Sequence, residues 1–183
     1  MASLLGMVVL PATALDLPHL SGGPYVPTPQ RVVDEMLSLA RLSHRDFVID
    51  LGSGDSRIVI TAAQKFGARG KGYDIDSELV ERSNHSARRL RLESRVHFEQ
   101  RDVLQADLRE ATVITLCLLP ELMRTLQARF LRELKPVTRI VSHDFEFEGW
   151  KPERSVNLKL DEKYDLSGSW SSTIYLWTVP APR

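Results

Sequence analysis

The amino-acid sequence predicts an α/β fold in which helices cover both faces of a mostly parallel sheet. Short apolar strands alternate with amphipathic segments from Asp46 to Ser142, which is typical of such a sheet. After Trp150 the rhythm changes to two alternating strands with no helix between them. The 183 residues, of which 43% are hydrophobic and 26% charged, suit one globular domain. We expect that domain over residues 24–183, preceded by an arm over residues 1–23.

The first helix is expected to follow a loop rich in proline and glycine over residues 21–29. Thr28 is predicted to cap this helix over residues 29–41, with Pro29 in its first turn, because apolar residues then recur at helical spacing. The elements predicted after it are strands over 47–51, 70–73, 96–99, 112–119 and 138–142, and helices over 57–66, 77–92 and 121–134.

The end of the chain is predicted to form an antiparallel pair of strands, over 156–160 and 173–177, joined through Ser167-Gly168-Ser169. Cys117 falls inside the predicted strand over 112–119, and we expect it to be buried. Because it is the only cysteine, it cannot form an internal disulfide.

Charge argues against a protein dedicated to binding nucleic acid. The 24 lysines and arginines are balanced by 24 aspartates and glutamates, so no net field attracts a polyanion. His85 and His97 have no companions at metal-ligand spacing, and we predict no metal site.

The amino terminus carries an ambiguous compartment signal. An apolar run from Leu4 to Leu10 precedes Ala12-Thr13-Ala14, which has the shape of a signal-peptidase site. The run is far too short to span a bilayer, and no lysine or arginine comes before it. We therefore expect a cytoplasmic protein without a transmembrane segment; the alternative is export through a truncated signal peptide.

A glycine loop, Asp50-Leu51-Gly52-Ser53-Gly54-Asp55, follows the first strand, where open α/β sheets bind ligands. Its glycines let the backbone approach a ligand, and the next helix offers free amides. A dinucleotide loop would carry a third glycine where Arg57 stands, and Asp50 and Asp55 would repel a pyrophosphate. The loop therefore favours a zwitterionic ligand, whose cationic head group Asp50 helps to orient.

Acids also follow the next two strands. Asp74 lies about 20 residues beyond the glycine loop, where a carboxylate accepts hydrogen bonds from both hydroxyls of a ribose. Asp102 is placed to meet an adenine amino group and Val103 an adenine face, although an aspartate here is also a common helix cap. Asp76 is expected to cap the following helix.

Together these motifs resemble those of class I S-adenosylmethionine-dependent methyltransferases, over about residues 24–179. More narrowly, the sequence is similar to the small protein-lysine methyltransferases related to the ATP synthase c-subunit lysine methyltransferase and their bacterial counterparts. The segments that carry this likeness are Pro24 to Pro29, Asp50 to Asp55, Leu119-Pro120-Glu121, Ser142 to Phe145 and Gly149 to Pro152.

This resemblance implies a Rossmann-like seven-stranded sheet with an antiparallel last strand, S-adenosyl-L-methionine as the cofactor and a protein lysine as the methyl acceptor. It assigns the cofactor to Asp50, Gly52, Ser53, Gly54, Asp74, Ile75, Asp102 and Val103. It places the acceptor at the mouth of the fourth strand, with Glu121 and Asp144 as the catalytic residues that orient the amine. The expected substrate contacts are Tyr25, Thr28, Pro120 and His143.

Other chemistries are less favoured. Ser142, His143 and Asp144 are not expected to form a hydrolase triad, because adjacent residues of a strand point to opposite faces. An Asn-Pro-Pro-Tyr type of motif, used on flipped nucleobases, does not follow the fourth strand. A small-molecule methyltransferase and a catalytically silent cofactor-binding module remain alternatives, although the open mouth suits a protein segment better.

Overall fold

The computed structural model describes residues 26–160 and 171–181, which form a seven-stranded sheet with helices on both faces. The strands are β1 (Phe47–Leu51), β2 (Arg69–Asp74), β3 (Val96–Gln100), β4 (Val113–Leu116), β5 (Arg139–His143), β6 (Arg154–Lys159) and β7 (Ser171–Thr178). The helices are α1 (Gln30–Leu39), α2 (Arg57–Phe66), α3 (Ser77–Arg89) and α4 (Pro120–Glu133), with a 3-10 turn over Val103–Gln105.

The sheet has the strand order β3-β2-β1-β4-β5-β7-β6. The first five strands in this order are parallel, and β7 pairs antiparallel with both β5 and β6. This confirms the predicted α/β class and the antiparallel strands at the end of the chain. The direction of winding reverses between β1 and β4, so the carboxyl ends of these two strands flank the crevice where such sheets bind ligands.

Helices α1, α2 and α3 cover one face of the sheet, and α4 covers the other. Apolar residues of α1 pack with Val48, Val141 and Ile174 on the first face. On the second face Leu126 and Phe130 of α4 belong to a cluster that contains the fully buried Trp177. Alternation along each strand therefore supplies both faces with apolar side chains, as a sheet buried on both sides requires.

Two predicted details are wrong. Thr28 does not cap α1, because the chain turns into the helix one residue later: Pro29 takes the cap position without a side-chain hydrogen bond. Strand β4 ends at Leu116 rather than at Leu119, and Cys117 is exposed. The chain leaves the sheet there to enter α4, whose first residue, Pro120, suits the first turn of a helix.

Strand β3 forms one edge of the sheet, and a side chain covers part of that edge. The Asn84 amide nitrogen donates to the carbonyl oxygen of Phe98 at 2.7 Å, and the backbone nitrogen of Phe98 donates to Asn84 Oδ1 at 3.1 Å. Asn84 lies on α3, so this pair of bonds also fastens the helix to the strand.

Several predictions lie outside the described residues: the arm over 1–23, Tyr25 and the Ser167-Gly168-Ser169 turn. Among the helices that are described, none is long and apolar enough to cross a membrane.

Candidate active site

Asp50, at the carboxyl end of β1, is a buried acid with an incomplete set of partners. Its side chain is only 1% exposed, and Oδ1 accepts a hydrogen bond from Thr115 Oγ1 at 2.7 Å. Oδ2 has no partner among the described residues. Burial, together with the charges of Asp74 and Asp55, raises the pKa of the Asp50 carboxyl to about 7, although the hydrogen bond from Thr115 lowers it. A cationic ligand at this oxygen would supply the missing partner.

The glycine loop lies against two neighbouring segments. The backbone nitrogens of Gly52 and Ser53 both donate to the carbonyl oxygen of Tyr73, at 2.9 and 3.0 Å, which ties the loop to β2. Gly52 has a φ of +80°, and a Cβ there would lie 3.0 Å from Leu118 Cδ2. Ser53 Oγ is buried and, like Asp50 Oδ2, has no hydrogen-bond partner in the described part of the chain. The loop thus combines a narrow backbone cradle with two unsatisfied polar atoms.

Asp74 holds the glycine loop in place through its carboxylate. Oδ2 accepts from the backbone nitrogen of Gly54 at 2.8 Å, and Oδ1 accepts from that of Asp76 at 3.0 Å. Each carboxylate oxygen can accept a second bond, so the half-buried group retains the capacity to bind ribose hydroxyls. Ile75 beside it is 61% exposed, which leaves an apolar side chain at the rim of the site.

The aspartates after β2 and β3 both act as caps. Asp76 Oδ1 accepts from the backbone nitrogens of Glu78 and Leu79, which confirms the predicted cap of α3. Asp102 Oδ1 accepts from the backbone nitrogen of Leu104 at 2.8 Å, so this acid caps the 3-10 turn as well as standing at the predicted adenine position. Val103 is buried in that turn.

Arg57 fastens the segment before α1 to the glycine loop, a role that the sequence did not predict. Its Nε donates to Asp55 Oδ1 at 2.8 Å, and its Nη1 donates to the carbonyl oxygen of Thr28 at 2.5 Å. Thr28 is buried, so residues 26–29 reach the loop. The sequence held one sign of this contact: Arg57 stands where a dinucleotide-binding loop would have its third glycine. Ser56 before it has a φ of +73°, the backbone conformation that favours glycine.

The segment after β4 is apolar and begins beside the glycine loop, where Leu118 Cδ2 lies 3.0 Å from the position of a Cβ on Gly52. Leu118 is buried, whereas Leu119 and Pro120 are exposed. Glu121 is exposed in the first turn of α4, where the helix dipole stabilises a carboxylate. The structure therefore places Pro120 and Glu121 at the same edge of the sheet as Asp50.

His143 and Asp144, at the end of β5, meet side by side. His143 Nε2 lies 2.8 Å from Ser172 Oγ and 3.3 Å from Asp144 Oδ2, and Nδ1 lies 3.4 Å from Cys117 Sγ. The expectation that neighbouring residues here point apart is therefore wrong for this pair, because Asp144 leaves the strand with a φ of +65°. Ser142 Oγ instead donates to the carbonyl oxygen of Phe145 at 2.6 Å, so the three residues do not make a hydrolase triad.

His85 and His97 are both exposed, as expected of histidines without companions. Within residues 26–160 and 171–181, no three histidine, cysteine, aspartate or glutamate side chains are grouped so as to hold a metal ion.

Residues 50–154 match the family model of the ANTKMT methyltransferase domain. The chain is 36% identical to a protein-lysine N-methyltransferase of Saccharolobus islandicus over 164 residues, which cover 89% of this chain and 96% of that relative. It is 32% identical to the adenine nucleotide translocase lysine N-methyltransferase of Mus musculus over 148 residues, or 80% of this chain and 64% of the mouse protein.

A solved structure extends the likeness to a different named substrate. An RNA methyltransferase of Salinibacter ruber, in complex with S-adenosyl-L-homocysteine, is 44% identical to this chain with a TM-score of 0.76. The match covers 86% of this chain and 96% of that one. The fold and the ligand of that structure agree with the site described above, whereas its name and those of the other two relatives point to different methyl acceptors.

Proposed function

Because the chain belongs to the ANTKMT methyltransferase family, we propose that it transfers the methyl group of S-adenosyl-L-methionine to a lysine side chain of a protein. Membership of this family confirms the resemblance seen in the sequence, the enzyme class and the cofactor. The observation that supports the lysine acceptor is the match over 96% of a protein-lysine N-methyltransferase.

The residues at the carboxyl edge of the sheet fit this cofactor. S-adenosyl-L-methionine carries an ammonium and a sulfonium, and Asp50, whose buried Oδ2 has no hydrogen-bond partner among the described residues, directly precedes the glycine loop. Gly52 has no Cβ and a φ of +80°, so its backbone can approach a ligand more closely than that of another residue could. We propose that the cofactor is held by the residues predicted from the sequence, which are Asp50, Gly52, Ser53, Gly54, Asp74, Ile75, Asp102 and Val103.

When bound, the cofactor supplies a methyl group on a positively charged sulfur, from which a neutral amine can take it. The protein must therefore align the amine and keep it uncharged. A free lysine has a pKa of about 10.4, and an apolar mouth lowers that pKa because it disfavours the ammonium. Leu118, Leu119 and Pro120 provide such a mouth beside the glycine loop.

We assign Glu121 and Asp144 to the orientation of the amine. Glu121 is exposed at the mouth. Asp144 is anchored, since Oδ1 accepts from the backbone nitrogen of Thr173 at 2.9 Å while Oδ2 faces His143. Of the predicted substrate contacts, Tyr25 lies outside the described residues. We keep Thr28 and Pro120 as substrate contacts and place His143 behind them.

RNA methylation is the second candidate, supported by the 44% identity to the Salinibacter ruber protein. Incubation of the purified chain with methyl-labelled cofactor and a cell lysate, followed by separation of protein from RNA, decides between the two. We expect label in protein, located on lysine by mass spectrometry. Label confined to RNA would contradict the proposal, and a Gly52→Val variant, which should not bind cofactor, is the background control.

We propose further that the chain works in the cytoplasm, where S-adenosyl-L-methionine is made. Cell fractionation with amino-terminal sequencing tests this compartment. A mature chain that begins at Leu15 and lies outside the cytosol would contradict it and would favour the export signal instead.

A further inference from the structure

Cys117, His143, Asp144 and Ser172 form a cluster where β4, β5 and β7 come together. Leu116 and Ser142 are partners in the β4–β5 ladder, so the residues that follow them, Cys117 and His143, continue the pairing past its last rung. Cys117 is exposed, whereas His143 is only 4% exposed. The cluster thus leads from a sulfur at the surface to an imidazole inside the domain.

Two oxygens lie close to one nitrogen of the His143 ring. Nε2 is 2.8 Å from Ser172 Oγ, a hydroxyl that can donate or accept, and 3.3 Å from Asp144 Oδ2, a carboxylate oxygen that only accepts. In the tautomer that places the proton on Nε2, beside this carboxylate, Nδ1 is an acceptor 3.4 Å from Cys117 Sγ. The thiol of Cys117 can then donate to a base whose charged form the Asp144 carboxylate would stabilise.

Cys117 also stands directly before the apolar segment that follows β4. The next residue, Leu118, has its Cδ2 at 3.0 Å from the position that a Cβ on Gly52 would take. The exposed sulfur is therefore at the edge of the sheet where the proposed methyl donor and amine would meet.

We propose that Cys117 and His143 form a proton relay, in which Cys117 takes a proton from the ammonium of the incoming lysine and passes its own to His143. One N–H bond of the ammonium breaks and an S–H bond forms at Cys117, while the former thiol proton binds His143 Nδ1. The amine becomes neutral and the imidazole becomes an imidazolium beside Asp144. Cys117 contacts the substrate, and His143 is the positioning residue behind it. The relay rests on the proposed lysine acceptor.

Among the described residues, helix α1 and strand β1 carry other charged groups on the same side of the sheet as His143. Helix α1 covers this face of the sheet with apolar side chains, and its Asp34 is paired with Lys65 at 2.6 Å; its other charged residues, Arg31 and Glu35, are exposed and half-buried. Asp50 lies on the same face, two strands away on β1, and is held by Thr115. Because Asp50 also titrates near neutral pH, the relay must be tested by comparing variants that all retain Asp50.

The first test measures the thiol without cofactor or substrate. Cys117 is the only cysteine, so iodoacetamide labels one site, and the labelling rate reports the thiolate fraction. We expect His143→Gln to slow labelling at pH 7 by about tenfold, because the thiol loses its proton acceptor. His97→Gln, at an exposed histidine on β3, is the matched control and should label like the wild type. Equal rates in all three proteins would overturn the relay.

The second test follows single-turnover methyl transfer to the protein identified by the labelling experiment, from pH 6.5 to 10. We expect Cys117→Ala and His143→Gln to lower the rate by about 100-fold at pH 7, a typical effect of losing an acid–base group. The deficit should shrink towards pH 10, where lysine loses its proton unaided. Because Cys117 is exposed, Cys117→Ala should fold even if His143→Gln does not.

The outcomes separate the two proposals. Lysine methylation with the same pH profile in wild type and variants would overturn the relay alone. Label found in RNA and not in lysine would overturn the proposed function, and the relay with it. Cys117→Ser, whose hydroxyl can still pass a proton, should recover part of the rate, whereas a purely structural defect would lower the rate equally at every pH.

Discussion

The two ends of strand β1 each carry an aspartate, and the fold surrounds them differently. Asp46, just before the strand, accepts hydrogen bonds from the Ser43 backbone nitrogen at 2.8 Å and from Thr112 Oγ1 at 2.8 Å, and it pairs with Arg139. Asp50, inside the far end, has one bond from Thr115 and one oxygen without a partner among the described residues.

Their pKa values separate accordingly. Burial raises the pKa of Asp46, but the hydrogen bonds from Thr112 and Ser43 and the charge of Arg139 outweigh it, so the pKa lies below its ordinary value. Burial raises the pKa of Asp50 to about 7, because a single hydrogen bond does not compensate. The amino edge of the sheet is thus satisfied by the protein itself, whereas the carboxyl edge keeps polar atoms for a ligand.

The largest expected difference in cofactor affinity comes from substituting one glycine at each edge. Gly52 (φ +80°) lies at the carboxyl edge and Gly67 (φ +69°) at the amino edge, and both have a left-handed backbone. Gly52→Val should lower cofactor affinity by more than about 100-fold, since the side chain would collide with Leu118 and strain the left-handed turn that shapes the loop. Gly67→Ala, at the end of α2, should leave affinity unchanged and destabilise the domain by about 1 kcal/mol. Calorimetric titration and thermal unfolding of both variants measure this. Retained binding by Gly52→Val would place the cofactor elsewhere.

Removal of an acid at the carboxyl edge should weaken cofactor binding, whereas removal of an acid at the amino edge should lower stability. Asp74→Ala should weaken cofactor binding at least about tenfold, because charged hydrogen bonds are worth about 1.5–3 kcal/mol each. Asp46→Ala should leave binding intact but lower the free energy of unfolding by about 2 kcal/mol, since Arg139 loses its partner in a half-buried site. Titration and urea unfolding of each variant test the contrast, which an equal loss of affinity in both would contradict.

The raised pKa of Asp50 predicts a proton linked to cofactor binding. A cationic ligand prefers the ionised carboxylate, so we expect affinity to rise from pH 6 to pH 8, by at most about tenfold per unit, with release of a proton. Titrations in two buffers of different ionisation enthalpy measure that proton. In Asp50→Asn both the proton release and this pH dependence should disappear.

Asp50 should also make the stability of the free domain depend on pH. Cofactor affinity should rise with pH, whereas the contribution of Asp50 to stability should fall. Its folded-state pKa lies above the ordinary value of 3.8, so the protonated form is favoured in the fold. The contribution of this group to stability is therefore full at low pH and is lost as the pH rises from about 4 to 7. Asp50→Asn should remove that loss, which thermal midpoints recorded across this range would show.

The smallest expected effect concerns Arg57. Arg57→Ala removes the hydrogen bond that ties the carbonyl oxygen of Thr28 to the glycine loop. We expect cofactor affinity to fall by about fivefold, which corresponds to the free energy of one typical hydrogen bond. Arg109→Ala is the matched control, because its ion pair with Asp107 is exposed. No change in Arg57→Ala would mean that residues 26–29 do not contribute to cofactor binding.

The sequence was sufficient where the relevant residues are neighbours in the chain. The alternation of strands and helices predicted the α/β class, and the spacing of Asp76 before α3 predicted its cap. Contacts between strands could not be predicted in this way. The bond from Thr115 to Asp50 joins residues 65 positions apart, and it depends on the order of β1 and β4 in the sheet.

Backbone conformation accounts for the other differences. The contact between His143 and Asp144 depends on a left-handed residue at the end of β5, in a position without glycine. Cys117 is exposed because β4 ends one residue before it. The apolar residues on both sides of Cys117 give no sign of this end in the sequence. An apolar run predicts a buried strand, but its last residues can equally form the start of a loop.

The bonds between Asn84 and Phe98 have a consequence for the behaviour of whole molecules in concentrated solution. An uncovered edge strand invites a strand of a second chain to add to the sheet, which leads to aggregation. The carboxamide of Asn84 occupies both the donor and the acceptor of Phe98 that such a strand would need. Residue 84 thereby closes this stretch of β3 to polymerisation through edge pairing.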